Sequence, residues 1–147
     1  MKIKVAWVGK TKEPAIQALT DEYLKRLSRY AEADGVVLKD EASLLKLAGR
    51  DGKSAQKSIL VLLHSRGKQL SSEELAEFVG DLQERSVPVI FAIGPANGFS
   101  GETVAAANSV LSLGKMTLAH ELARVVLLEQ LYRAFTILKG HPYHLGH

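Results

Sequence analysis

The 147-residue chain contains no cysteine, and this absence removes several classes of chemistry at once. Disulfide bonds, a thiolate nucleophile and cysteine-based zinc sites are all excluded. The chain also lacks an uninterrupted apolar run of about 18 residues, the length that a membrane-spanning helix requires. Its longest apolar stretch, residues 122–138, is broken by three charged side chains. The amino-terminal apolar segment ends at Gly9 and is too short for a signal peptide. We therefore expect a soluble, cytoplasmic protein.

A strong excess of charge of one sign is also missing, because 19 basic and 16 acidic residues leave a net charge of +3. With 46% hydrophobic and 24% charged residues, the chain is typical of a globular protein, and its length predicts one domain over residues 1–147. The charge is uneven: residues 1–30 hold seven Lys or Arg against three acids, and residues 71–110 hold six acids against Arg85 alone. A basic end of this kind either is a solvated helix face or meets a polyanion such as RNA.

Apolar periodicity predicts strands that alternate with helices. Alternating or continuous apolar runs predict strands over residues 2–8, 36–39, 58–63, 88–93 and 109–113. Apolar spacings of three and four, Pro14 at a helix start and a capping box of Ser71 with Glu74 predict helices over residues 14–30, 43–48, 72–86, 102–107 and 121–139. This order predicts an α/β fold with a mostly parallel sheet flanked by helices on both faces. Ligands of such sheets bind beyond the carboxyl ends of the strands.

Two glycine-rich segments fail to match the phosphate loops that they resemble. Residues 49–54 lack the first glycine of a Walker A loop and follow no predicted strand. Residues 94–98 follow a strand but lack the dinucleotide spacing, and Pro95 removes a backbone donor. The glycines of residues 94–98 either let the backbone approach a ligand closely or form a plain tight turn. Residues 113–118 either wrap an adenine through backbone groups and apolar side chains or only anchor Met116 and Leu118 in the core.

The carboxy-terminal segment carries the least ordinary pattern of the chain. Its predicted helix is apolar over most of its circumference and needs cover on more than one side, which a homodimer interface would provide. Glu129 and Arg133 are four residues apart and can pair. The tail from His141 to His144 combines two imidazoles, which exchange protons near neutral pH, with Tyr143, which can stack on an unpaired base. A metal site is the competing interpretation, but no spaced carboxylate or thiolate completes one, so we expect none.

Several stretches form a characteristic combination. They are the opening KIKVAWVGK, Leu63 with Gly67-Lys68 and SSEEL, the turn Ile93-Gly94…Asn97-Gly98, SLGKMTLAHELARVVLLEQLYRAF and the closing HPYH. Together they resemble the RlmH family, the SPOUT-class methyltransferases of 23S ribosomal RNA. The resemblance covers nearly the whole chain and is strongest from residue 93 to residue 144. The chain departs from the family pattern at Pro95, at Ala119 and in the shortened region 40–57.

The resemblance implies an α/β trefoil-knot fold, a homodimer and binding of S-adenosyl-L-methionine in the knot. The implied reaction is methylation of N3 of a pseudouridine in 23S rRNA, at the subunit interface, with the assembled ribosome or its large subunit as partner. By motif match, the implied cofactor-binding residues are Leu63, Gly94, Leu113, Gly114, Lys115, Met116, Thr117 and Leu118.

The chemistry of this reaction indicates roles for the remaining motif residues. N3 of pseudouridine carries a proton that a base must take, unless a cation stabilises the anionic ring. We hypothesise that His144 is the base or proton relay, that Tyr143 packs the substrate and that the tail lies over the cofactor site. Arg124, as a catalytic residue, or Arg133 would hold RNA phosphate or base oxygens, and His120 would order the preceding loop. Further RNA contacts are expected from Lys25, Arg26 and Arg29.

Two other functions stay open on the sequence. One is a methyltransferase that acts on transfer RNA. The other is a non-catalytic ribosome-assembly factor that binds RNA without S-adenosylmethionine, an interpretation to which only Pro95 lends support.

Overall fold

The computed structural model describes residues 1–53 and 57–146, and five strands alternate there with five helices. The strands are β1 (Lys2–Val8), β2 (Glu32–Leu38), β3 (Ile59–Gln69), β4 (Val89–Ile93) and β5 (Ser109–Ser112). The helices are α1 (Pro14–Leu27), α2 (Glu41–Leu47), α3 (Ser72–Arg85), α4 (Gly101–Ala106) and α5 (His120–Leu138). The predicted alternation of strands and helices is confirmed.

All five strands are parallel and lie in the order β2-β1-β4-β3-β5. Because successive side chains of a strand point to opposite faces, Ile3 and Val5 of β1 pack with α1, α3 and α5, whereas Ala6 packs on the side of α2 and α4. The central strand β4 is buried along its whole length, which explains its continuous apolar sequence. The predicted mostly parallel sheet with helices on both faces is confirmed.

Local signals account for several helix ends. The Ser71 hydroxyl accepts the backbone N–H of Glu74, and the Glu74 carboxylate accepts the backbone N–H of Ser71, so the predicted capping box is present. Asp40 and Ser100 cap α2 and α4 in the same way, each accepting a backbone N–H three residues on. These caps satisfy donors that the first helical turn leaves unpaired.

Two strands are longer than their apolar runs predict. The strand β2 begins at Glu32 rather than at residue 36, because its polar and small first residues pair with β1 although they carry no apolar signal. The strand β3 continues to Gln69 rather than ending at Leu63, because Lys68 and Gln69 pair with β5. Backbone pairing, which does not depend on apolar side chains, extends both strands.

The helix α5 is covered mainly from within the chain, because it packs against α1 and α3. Leu127, Leu128 and Leu131 are fully buried there, whereas Leu122 is 51% exposed. The most exposed apolar side chains of the helix are Leu122 and Leu138, near its two ends. Within residues 1–53 and 57–146, no helix is long and apolar enough to cross a membrane.

The Walker-like segment has a structural role. The Arg50 guanidinium donates to the carbonyl oxygens of Ala48 and Ala106 and to the side chain of Asn108, tying the ends of α2 and α4 together. Ser54, the last residue of that segment, lies outside the described residues.

Candidate cofactor cleft and carboxy-terminal tail

The carboxyl ends of β3, β4 and β5 open into a cleft of about 720 Å³. This volume lies within the range usual for sites that hold small molecules. The walls are the last residues of β3 before it bends, the turn after β4, the loop after β5 and the first turn of α5. All eight predicted cofactor residues line this one cleft: Leu63, Gly94, Leu113, Gly114, Lys115, Met116, Thr117 and Leu118.

The turn after β4 depends on its two glycines. Gly98 donates its N–H to the carbonyl oxygen of Pro95 at 2.8 Å and has a φ of +84°, a conformation that favours glycine. Gly94 is pressed against Phe99, because a Cβ at this position would lie 3.1 Å from the ring. Both glycines bring the backbone to the cleft without a side chain in the way.

The loop after β5 is held by a local pair of hydrogen bonds. The Ser112 hydroxyl donates to the carbonyl oxygen of Gly114 at 2.9 Å and accepts the Gly114 N–H at 3.2 Å. The φ of Gly114 is +135°, so the chain turns sharply there. Met116 is 85% exposed, which contradicts the alternative in which this loop anchors Met116 in the core.

The tail is docked on α5 through a chain of hydrogen bonds. The Tyr143 hydroxyl donates to Oε2 of Glu129 at 2.7 Å, and the Arg133 guanidinium donates to the same carboxylate at 2.9 Å. The guanidinium also lies 2.9 Å from Nδ1 of His144, whose Nε2 lies 2.6 Å from Oε1 of Glu73. The predicted pairing of Glu129 with Arg133 is confirmed.

These contacts fix the protonation pattern of His144. A guanidinium only donates, so Nδ1 of His144 accepts from Arg133, and the ring proton therefore sits on Nε2 and is donated to Glu73. The backbone N–H of Glu73 itself is the largest cause that holds the pKa of the Glu73 carboxyl below its ordinary value. The hydrogen bond from His144 lowers this pKa further. With the tail docked, neither ring nitrogen of His144 is available to take a proton from a substrate.

Tyr143 is held as a neutral phenol. Burial raises the pKa of Tyr143, and its hydrogen bond to the Glu129 carboxylate raises it further. The Arg133 guanidinium lies over the Tyr143 ring at 4.9 Å, and the ring packs edge-on against Tyr132 at 4.8 Å. A neutral, packed ring fits a role in contacting substrate rather than in taking a proton.

The predicted RNA-binding residues of α1 lie beside the tail. Arg26 pairs with Glu22 at 2.8 Å, and its guanidinium lies 5.6 Å from the ring of Tyr132, which contacts Tyr143. Lys25 is exposed on the same helix, and Arg29 is exposed just beyond its end at Leu27. The fold therefore brings the basic face of α1 and the tail together, and their contact with RNA stays a prediction.

The two remaining arginines do not lie where a polyanion can reach them directly. Arg124 is 0% exposed, stacks 4.1 Å from the Trp7 ring and donates to the hydroxyl of Thr11. Burial lowers the pKa of Arg124. The side chain of Arg133 is 13% exposed, and its guanidinium contacts Glu129 and His144. Arg124 thus contacts the loop after β1 and Arg133 contacts the tail, and their contact with RNA stays a prediction.

The tail and the cleft are apart within one chain. The cleft is lined by His120 and Ala123 at the start of α5, whereas Tyr143 packs on Glu129 and Arg133 further along the same helix. At 1.5 Å per residue, these positions are about 9–20 Å apart along the helix axis. Within one chain the tail therefore does not lie over the cleft, and the placement of a tail over the cofactor site stays a prediction. His120 lines the cleft wall, beside the loop that it was expected to order.

Sequence reasoning missed four residues of these sites. Glu73 and Glu129 hold the tail, and His64 and Arg66 line the cleft. Only Glu129 gave a signal, its spacing from Arg133. Among the described residues, no group of three or more His, Cys, Asp or Glu is placed to hold a metal ion.

Known proteins resemble the chain in both sequence and fold. A family model described as Predicted SPOUT methyltransferase matches residues 1–144. The chain is 60% identical over 148 residues to Ribosomal RNA large subunit methyltransferase H of Koribacter versatilis, covering 100% of both chains. It is 43% identical to the protein of the same name from Geobacter metallireducens, covering 98% of this chain and 99% of that one.

Solved structures show the same fold at low sequence identity. The SpoU methyltransferase AviRb from Streptomyces viridochromogenes, in complex with the cofactor AdoMet, has a TM-score of 0.53 and 11% identity. The match covers 90% of this chain and 57% of AviRb. A probable methylase family protein from Haemophilus influenzae has a TM-score of 0.59 and 14% identity, covering 96% and 69%.

The fold is thus the knotted α/β fold of the SPOUT methyltransferases, as expected. The chain belongs to this class of enzymes and, within it, to the family of the ribosomal RNA large subunit methyltransferase H proteins.

Proposed function

We propose that the protein transfers a methyl group from S-adenosyl-L-methionine to N3 of a pseudouridine in 23S rRNA of the large ribosomal subunit, in the cytoplasm. The observation that carries the proposal is the meeting of all eight motif-matched residues in one cleft at the carboxyl edge of the sheet. The names of the 60% and 43% identical relatives support the large-subunit RNA as substrate.

The residues of the cleft suit the cofactor. The glycine backbone of the turn after β4 and the apolar side chains of Leu63, Leu113 and Leu118 would hold the adenosine. When bound, S-adenosylmethionine supplies a methyl group on a positively charged sulfur. The cleft residues contribute mainly by alignment, because an in-line transfer depends on the distance and direction of the nucleophile.

We further propose that the enzyme works as a homodimer in which the tail of one protomer reaches the cleft of the other. The separation of about 9–20 Å between tail and cleft along α5 supports this arrangement. So does the exposure of Leu122 and Met116, at 51% and 85%, beside the cleft. A two-fold axis would place the tail of each protomer over the cleft of its partner.

His144 is proposed as the base or proton relay for N3, and Tyr143 as the residue that packs against the target base. Because Arg133 occupies Nδ1 of His144 in the docked tail, His144 becomes a base only when the substrate replaces that contact. Lys25 and Arg26 of α1, with Arg29 just beyond its end, supply phosphate contacts next to the tail.

The test is methyl transfer from radiolabelled S-adenosylmethionine to three substrates: ribosomes and large subunits from cells that lack the protein, and transfer RNA. We expect label in the large-subunit RNA only, at a single pseudouridine located by mass mapping of nuclease fragments. Label in transfer RNA alone would show that transfer RNA, and not 23S rRNA, is the substrate. Binding of ribosomes without calorimetric binding of S-adenosylmethionine would favour the assembly factor.

A further inference from the structure

A short irregular section of β3 contributes one wall of the cleft. Leu63 and Lys68 both pair with Leu111 of β5, so residues 64–67 are extra on β3 and leave the regular ladder. Gly67 fixes this section against β5, because a Cβ there would lie 2.4 Å from the backbone of Leu111. Bulged segments of this kind redirect side chains, and they are common next to active sites.

Three side chains of the irregular section line the cleft: His64, Ser65 and Arg66. Nδ1 of His64 accepts the backbone N–H of Arg66 at 3.1 Å, so the ring proton lies on Nε2. That nitrogen lies beside Gly98, since a Cβ on Gly98 would be 3.9 Å from it. The imidazole therefore spans from the Arg66 backbone to the turn after β4.

The charges of the cleft have one sign. Arg66 and Lys115 line it, and no Asp or Glu is present among its described lining residues. Arg66 is exposed, and across residues 1–53 and 57–146 its guanidinium has no hydrogen-bond or ion-pair partner. A permanent cation thus stands at the cleft with all of its donors free.

We propose that Arg66 binds a backbone phosphate of the RNA next to the target nucleotide; this inference rests on the proposed function. S-adenosylmethionine carries two positive groups and one carboxylate, so a cationic wall without a carboxylate suits the polyanionic substrate better than the cofactor. A planar guanidinium can bind phosphate through two parallel hydrogen bonds. Arg66 then holds the RNA at the cleft itself, whereas the basic face of α1 lies beside the docked tail.

The test compares Arg66→Gln, Arg66→Lys and the control Arg85→Gln. Arg85 is exposed at the end of α3, shortly before β4 begins, and therefore lies at the sheet edge opposite the cleft. For Arg66→Gln we expect KM for large subunits to rise about tenfold, the size of one charge-assisted contact, with kcat within about twofold. Arg66→Lys should recover part of the loss, and Arg85→Gln should match the unaltered protein.

Two binding measurements complete the test. Filter binding of large-subunit RNA should show a log–log salt slope smaller by roughly one for Arg66→Gln, as expected for one lost phosphate contact. Calorimetric affinity for S-adenosylmethionine without RNA should stay unchanged.

An unchanged KM and salt slope would overturn the inference. Weaker binding of S-adenosylmethionine by Arg66→Gln would also overturn it, because the guanidinium would then hold the cofactor carboxylate. If the unaltered protein transfers no methyl group, the proposed function fails, but the RNA-binding comparison still decides whether Arg66 contacts phosphate.

Discussion

At the scale of single residues, hydrogen bonds engage both Tyr143 and His144 in the docked tail. Glu129 accepts from both Tyr143 and Arg133, and Arg133 donates in turn to His144. The phenol is neutral and the imidazole has no free lone pair in this arrangement. Under the role proposed for His144, methyl transfer requires the substrate to take the place of one of these contacts.

Replacing His144 by alanine tests its role in proton removal. We expect turnover to fall by about 10²-fold or more, because N3 loses its proton acceptor, while affinity for S-adenosylmethionine stays the same. Single-turnover methylation and calorimetry measure the two quantities. The control is Leu145→Ala, whose side chain is 86% exposed in the same tail. Normal turnover in His144→Ala would remove this residue from the chemistry.

Replacing Tyr143 by phenylalanine tests the environment of its hydroxyl. The pKa of Tyr143 is raised above the ordinary 10.0, first by burial, so its contribution to stability is present below pH 10 and is lost as pH rises further. We expect the free energy of unfolding to fall less between pH 9 and pH 11 in Tyr143→Phe than in the unaltered protein. Urea denaturation at both pH values measures this difference, and equal falls would show that the hydroxyl ionises freely.

At the scale of elements, the close packing of the irregular section of β3 against β5 shapes the cleft. The loop that is proposed to bind the cofactor leaves β5 directly after Ser112. Gly67 packs against Leu111, the residue before Ser112. The first half of β3 was predictable from its continuous apolar run. Its second half was not, because residues 64–69 are mostly polar and their pairing with β5 has no periodicity of its own.

Substituting alanine for Gly67 tests the close packing of β3 against β5. Its Cβ would lie 2.4 Å from the Leu111 backbone, so we expect a loss of about 1–3 kcal/mol of stability together with weaker binding of S-adenosylmethionine. Gly101→Ala is the matched control, since no atom lies within 4 Å of a Cβ there and alanine favours the helix. Urea titration measures the stability, and calorimetry measures the affinity for S-adenosylmethionine. A Gly67→Ala protein with unchanged stability and affinity would contradict the close packing of β3 against β5.

At the scale of the whole molecule, the cleft and the tail lie at different positions along α5. The alternation of elements, the parallel sheet and the cleft at its carboxyl edge followed from periodicity and general rules of α/β sheets. The knot did not, because connections that thread through one another are rare and leave no local pattern. The docking of the tail on Glu129 and Glu73 also escaped prediction, since it depends on packing between elements distant in sequence.

The substitution Leu122→Asp tests whether a second copy brings tail and cleft together. A carboxylate at this half-exposed position should convert a dimer to a monomer and abolish methyl transfer while the fold persists, because burying an unpaired charge in an interface is costly. Sedimentation equilibrium and circular dichroism measure assembly and fold. Val37→Asp, at 53% exposure on the edge strand β2, is the control. A monomer with full activity would refute the shared site.

The most direct measurement is a crystal structure of the protein with S-adenosylhomocysteine, the demethylated product of the cofactor. We expect adenine density between the turn at Gly94 and Gly98 and the loop of residues 113–118. The tail of the other protomer, with its Tyr143, should lie beside this density. Nucleoside density anywhere else, or a partner tail remote from the cleft, would contradict this expectation.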